Sequence, residues 1–245
     1  MKNAGFRSHP LGAAIAMAGL FAVQPAAADS LTFNGMYYSS PDAVNISYSG
    51  APGPVNESVL SGGFRMTNFT PGTPVTFIAW CLDIFDRMAS QTYTLKSAES
   101  YVPGWSHVPL DMTKVTALER LASNNAVTNA AQSSAFQMAA WEIVDEQSGS
   151  YTLSAGNFQA SGNTLLAPNT IALANTWLSN LGTAAPTMKL SLWQANTPGS
   201  TQDLAVFVPV PEAHPYGLMM AGLGLMGFIA RRKMGRAKDA KAHRR

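Results

Sequence analysis

The sequence predicts an α+β body, β-rich with a sandwich or barrel-like sheet and an inserted helical middle, set between an N-terminal signal peptide and one C-terminal transmembrane helix. Three observations carry that reading. Short runs rich in β-branched and aromatic residues, parted by Pro/Gly clusters, fill 29–108. The apolar period then lengthens to helical spacing over 109–182 before strand-like runs return over 183–208. An uncharged apolar segment lies near each end of the chain.

At the N-terminus, Lys2 and Arg7 precede an apolar stretch over 11–23 that ends at Ala26-Ala27-Ala28. A basic n-region, an apolar h-region and an Ala-x-Ala site formed by Ala26 and Ala28 describe a secretory signal over 1–28, cut after Ala28. The exported body, 29–208, begins with expected strands over 31–38, 44–48, 58–68, 75–85 and 91–96. Turn clusters such as Pro52-Gly53-Pro54 and Pro71-Gly72 separate them. Val115, Leu118, Leu121 and Ala122 then mark one helix, and Ala135, Phe136, Ala139, Ala140, Ile143 and Val144 a second, capped by Ser133 or Thr128. Strand-like pieces over 151–153 and 157–160 lead to a third helix, 169–181, closed by Gly182. Strands over 188–194 and 203–208 complete the body.

The C-terminal stretch reads as three parts in series. Pro209, Pro211 and Glu212 come first, then an apolar helix over 215–230, then Arg231, Arg232 and Lys233 at the head of a basic tail, 231–245. Sixteen helical residues rise roughly 24 Å, slightly short of a bilayer core of about 30 Å. Snorkelling flanks would let it span, with the basic residues held on the cytoplasmic side.

Charge partitions with the segments. Six basic and 13 acidic residues lie in 29–212, so the body carries about −7 although the whole chain is +2. A body of that sign, without clustered Lys and Arg, excludes a nucleic-acid partner. His107 is its one histidine, so a multi-histidine metal site is excluded and no cofactor is expected. The chain has neither a Gly-x-Ser-x-Gly elbow nor a Gly-Lys-Ser/Thr phosphate loop, and it is not expected to be an enzyme.

The lone cysteine, Cys81, is more informative. In an exported chain it is inert and buried, pairs with another chain, or does chemistry. Its setting, 77–85, is a nearly continuous apolar run that includes Trp80 and Asp83. Gln137 lies mid-helix among apolar residues, with Trp141 one turn on. A buried amide is costly unless its hydrogen-bonding groups are met. Either Gln137 braces a β element and Trp141 is core, or the Cys81 thiolate attacks the amide carbon and expels ammonia, leaving a thioester shielded from water by its apolar shell.

Two resemblances follow from these residues. Val208 to Lys233, with its Gly-rich apolar run and Arg231-Arg232-Lys233, resembles the PEP-CTERM sorting signal of exported proteins in Gram-negative bacteria; where that family has Pro-Glu-Pro, this chain has Pro211-Glu212-Ala213. The resemblance implies an exosortase-type transpeptidase as partner, transient anchoring in the membrane and a final place at the cell surface or outside the cell. The stretches around Cys81 and around Gln137-Met138-Ala139-Ala140-Trp141 look like the paired signature of bacterial thioester surface domains. That likeness implies a Cys81–Gln137 thioester, with Trp80, Asp83 and Trp141 supporting it, which captures a nucleophile on a surface or matrix ligand. The alternative is a non-covalent structural matrix protein in which Cys81 is packing.

Overall fold

The computed structural model describes residues 28–210, apart from 40–41, 71, 99, 104–109, 148, 164–168 and 198, together with 219 and 222–227. Nine strands and three helices make up the body described there. The strands are β1 (Ala28–Met36), β2 (Asp42–Tyr48), β3 (Val55–Ser61), β4 (Phe64–Asn68), β5 (Val75–Cys81), β6 (Gln91–Lys96), β7 (Phe158–Gly162), β8 (Met188–Ala195) and β9 (Leu204–Pro209). The helices are α1 (Met112–Asn124), α2 (Ala130–Asp145) and α3 (Thr170–Ser179).

The strands form two sheets. Six of them close a barrel in the order β1-β4-β5-β9-β8-β6, and three form a second sheet in the order β3-β2-β7. The sandwich-or-barrel expectation therefore resolves into a closed barrel with a small separate sheet. Closure leaves the barrel without a free edge. Its last two strands come from after the helices, and β7, which lies within the expected helical middle, pairs with β2. The three stretches of the body are thus interleaved in space.

Helix α2 joins these sheets. It packs against β5 of the barrel, against all three strands of the small sheet, and against α1 and α3. With neighbours on every side, each residue from Ser133 to Asp145 is buried. This explains why its sequence is apolar nearly all round and lacks a polar stripe. It also means that Gln137, Glu142 and Asp145 lie inside the protein.

Several expected boundaries shift for identifiable reasons. The strand expected over 58–68 is two strands, because Gly62 (φ 147°) and Gly63 turn the chain between β3 and β4. The turn is tied to the start of α2: the Gly63 N–H donates to Ser133 Oγ at 2.9 Å, and Ser61 Oγ donates to the Ser134 carbonyl at 3.0 Å. With Ser133 so occupied, Asn129 caps α2, its Oδ1 accepting from the Gln132 N–H at 2.9 Å. The strand expected over 75–85 stops at Cys81, and 151–153 is not a strand but leads into a turn at 153–154.

Several residues singled out from the sequence, mostly at the chain ends, lie outside the described residues. Ala26, His107, Pro211, Glu212, Arg231, Arg232 and Lys233 are among them, whereas Ala28 begins β1. Of the helix expected over 215–230, residues 219 and 222–227 are helical and exposed. Among the described residues, no helix is long and apolar enough to cross a membrane.

Candidate functional site

The site begins where β5 outruns its neighbour. β4 starts at Phe64, which pairs with Ala79, so the chain opposite Cys81 has already turned away at Gly62-Gly63. On its other side β5 continues along β9, with Trp80 opposite Ala205, Cys81 opposite Leu204, and the Leu82 N–H donating to the Asp203 carbonyl at 2.9 Å. Successive residues of an antiparallel strand address opposite neighbours. The backbone of Cys81 therefore faces the vacated side, where its N–H and C=O need partners.

Gln137 supplies both. The Cys81 N–H donates to Gln137 Oε1 at 3.0 Å, and Gln137 Nε2 donates to the Cys81 carbonyl at 2.8 Å. One side-chain amide from α2 thus fills a missing rung of the β-ladder. Cys81 and Gln137 are each 1% exposed. The structure brings together the two residues singled out from the sequence, and it does so through the bracing arrangement.

The thiol is free, buried, and donates to the Asp83 carbonyl at 2.6 Å. Burial pushes its pKa well up and the Asp83 carboxylate adds to this, while the Trp141 indole and the Asp83 backbone act in the opposite sense. Trp141 is 3% exposed, and its Nε1–H meets the sulfur at less than full hydrogen-bond geometry. Gln137, Trp141 and Asp145 are spaced four residues apart, which places them along one face of α2.

Asp83 shapes the loop beyond the cysteine. Its Oδ1 accepts from the Phe85 and Asp86 N–H groups at 3.1 and 2.9 Å, and its Oδ2 from the Asp203 N–H at 3.1 Å. The carboxyl is pushed up to about 6 by burial, partly offset by the backbone N–H groups of Asp86 and Asp203. Trp80 points away from the thiol and packs on Phe136 at 4.2 Å between ring centroids. It supports the end of β5 without facing the sulfur.

Two acids on α2 complete the polar interior. Asp145 is fully buried with both carboxyl oxygens unpartnered; burial pushes it well above the carboxylate range, opposed by Lys114. Glu142 is raised to about 8 by burial, although its Oε1 accepts from the Thr152 N–H at 2.7 Å. Asp145 was missed from sequence, though its place two turns beyond Gln137 on the same helix face marks it. Gln202, which lines a groove at Trp141, was missed as well, and nothing in its local sequence signals that role.

Comparison with known proteins bears on the tail and the body separately. Residues 208–233 match the PEP-CTERM protein-sorting motif. The chain thus carries the tail of a sorted protein, and the motif implies processing by an exosortase, export, and a place at the cell surface or beyond. No curated protein matches the chain. Among solved structures, the body is similar to the N-terminal domain of the pilus tip adhesin Cpa from Streptococcus pyogenes, at 13% identity and TM-score 0.42, covering 73% of this chain and 99% of that one. It is similar also to the N-terminal thioester domain of a surface protein from Clostridium perfringens, at 13% identity and TM-score 0.41, covering 60% and 89%. The N-terminal thioester domain of the fibronectin-binding protein SfbI from Streptococcus pyogenes matches at 11% identity and TM-score 0.37, covering 69% and 96%.

Proposed function

We propose that the chain is an exported surface or extracellular-matrix protein of a Gram-negative bacterium that attaches covalently to a nucleophile through a Cys81–Gln137 thioester. The signal over 1–28 directs export, the helix over 215–230 anchors the precursor in the membrane, and the exosortase removes that anchor. Attachment is a single event: one thioester is consumed per chain, so the protein is a covalent binder and not an enzyme.

The observation that supports this reading is the hold of Gln137 on Cys81, which fixes the amide of one residue on the residue that bears the thiol. In the step itself, sulfur adds to the amide carbon, the C–N bond breaks, and the nitrogen departs as ammonia carrying the thiol proton. The Cys81 N–H on Oε1 polarises the carbonyl in the way an oxyanion donor does.

The same pair of hydrogen bonds also favours a second reading. As a brace, Gln137 satisfies the end of β5 and Cys81 fills space in the core, which suits a non-covalent matrix component. Intact mass of the denatured, exported chain separates the two readings. A thioester leaves the chain one ammonia lighter, and methylamine restores mass as an adduct at Gln137. A chain of full calculated mass that takes up no methylamine, and that behaves like Cys81→Ala in both respects, refutes the covalent reading.

A further inference from the structure

The barrel has two unlike ends. Its six strands alternate in direction around the closed order, so β1, β5 and β8 begin, and β4, β6 and β9 finish, at one end. Ala28, next to the signal segment, and Val210, at the head of the sorting tail, therefore both lie there. Cys81 closes β5 at the other end, roughly 20 Å along the strand from Val75. The start of the tail is held to the barrel: the Val210 N–H donates to the Thr187 carbonyl at 2.8 Å.

Chain length limits how far that end can sit from a bilayer that holds the tail. From Val210 to residue 215, and likewise from Val23 to Ala28, there are five steps, at most roughly 18 Å when fully extended. Headgroups take up about 5–8 Å of that reach. The surface presented there is apolar: Phe69, Val75, Leu95, Val208 and Val210 lie at or just beyond strand ends on this side and are each 42–52% exposed. It is also firm. Residues 183–188, which carry no charge, are pinned to α1 by Arg120, which donates to the Thr183 and Ala184 carbonyls at 3.0 and 3.1 Å. Ser123 Oγ accepts from the Thr187 and Met188 N–H groups at 2.9 and 3.0 Å. Among the described strand residues, the charged ones nearest this end are Asp29, Lys96 and Lys189, net +1 in a body of about −7. Apolar side chains ringed by lysine suit an anionic lipid surface.

We propose that this end of the barrel is a bilayer-docking face, seated on phospholipid headgroups while the tail holds the precursor in the membrane. Phe69, Val75, Val208 and Val210 enter the interface, and Lys96 and Lys189 meet lipid phosphates. The proposal rests on the reading of 215–230 as the membrane anchor and is independent of the thioester. Docking turns the Cys81–Gln137 end away from the membrane. It also lays Val208 to Val210, where the matched sorting motif begins, along the membrane surface, within reach of a membrane-embedded transpeptidase.

The test uses the full-length chain in vesicles of phosphatidylethanolamine and phosphatidylglycerol whose acyl chains are brominated near the headgroup. The tryptophan added by Phe69→Trp, or at a second site by Val75→Trp, is read as the difference from the unsubstituted chain. Each is expected to be quenched at least threefold more strongly than that added by Tyr37→Trp, an exposed site just past β1 at the far end. A flexible Gly/Ser spacer of about twelve residues inserted after Ala213 is expected to leave this contrast within about twofold, because the face and not the tether holds the body down. With the spacer present, Lys96→Glu combined with Val208→Asp is expected to abolish it. Equal quenching at the two ends, loss of the contrast on adding the spacer, or its survival in the doubly substituted chain overturns the docking face while the anchor stands. A contrast that appears only when exosortase is present in the vesicles assigns the face to that enzyme and overturns it too. A chain that alkaline carbonate strips from the vesicles removes the anchor, and the docking face with it.

Discussion

Replacing Cys81 with Ala converts the covalent question into one of stability. A Cys81–Gln137 bond joins positions 56 residues apart and acts on the unfolded chain as a disulfide would. Chain entropy for a loop of that size contributes about 4 kcal/mol. Removing one buried sulfur from a packed core costs about 1 kcal/mol more. Against this, Cys81→Ala restores the Gln137 amide to the backbone of residue 81, and two hydrogen bonds contribute about 2 kcal/mol. The net loss is about 3 kcal/mol, a fall of roughly 6–12 °C in Tm for a body of this size. Urea unfolding followed by tryptophan fluorescence measures it, and methylamine treatment of the unsubstituted chain should reproduce most of the loss without a substitution. If Cys81→Ala costs about 1 kcal/mol or less and methylamine changes nothing, the cross-link is absent and the entropic reasoning fails with it.

Other outcomes follow from the same geometry. Gln137→Leu keeps volume but strips the Cys81 N–H and C=O of their partners, at about 2–4 kcal/mol in the same unfolding assay. Gly63→Ala would place a Cβ 2.8 Å from the Ile78 side chain and 3.2 Å from Trp80, so β4 and β5 must separate, costing about 1–3 kcal/mol and lowering Tm. Asp83 has a folded pKa of about 6, raised from 3.8, so its contribution is fully present below about pH 4 and is lost as pH rises through 6. Asp83 should therefore contribute a fall of about 3 kcal/mol over that window, and Asp83→Asn should make the curve shallower there by that amount, leaving the decline that Glu142 and Asp145 impose from about pH 4 upward.

What could be read from sequence was whatever rests on local pattern. β2 shows the alternation of a half-buried strand, with Val44, Ile46 and Tyr48 inward and Asn45 outward, and α1 follows the helical spacing of Val115, Leu118 and Leu121, all buried. The hairpin at Gly62-Gly63 was hidden because the residues on both sides favour strand, and the turn is fixed by Ser133 from a helix 70 residues away. Barrel closure was equally invisible, since β1 meets β6, and β5 meets β9, through registers that no local pattern encodes. The Cys81–Gln137 pair was legible because a lone thiol and a polar residue inside an apolar helix are each anomalous. The brace was legible as one of two alternatives, but which backbone groups Gln137 meets was not, because that depends on where β4 begins.

The raised pKa of Cys81 bears on how a thioester would form. Only a small fraction is thiolate near neutrality, and a mechanism requiring free thiolate would speed up about tenfold per pH unit. The arrangement around Gln137 favours a different course. The Cys81 N–H already withdraws charge from the amide oxygen, and Nε2, held by the Cys81 carbonyl, must gain a proton before it can leave. A protonated thiol carries the proton that nitrogen needs, so transfer from sulfur to nitrogen accompanies C–S bond formation and no external base is consumed. Burial, which penalises separated charge, favours this coupled transfer over stepwise ionisation. The rate of ammonia loss after refolding, followed by mass, should then vary less than about threefold between pH 6.5 and 8.5, against the tenfold rise per unit of a free thiolate. A tenfold rise per unit would refute the coupled course and place thiolate formation before attack.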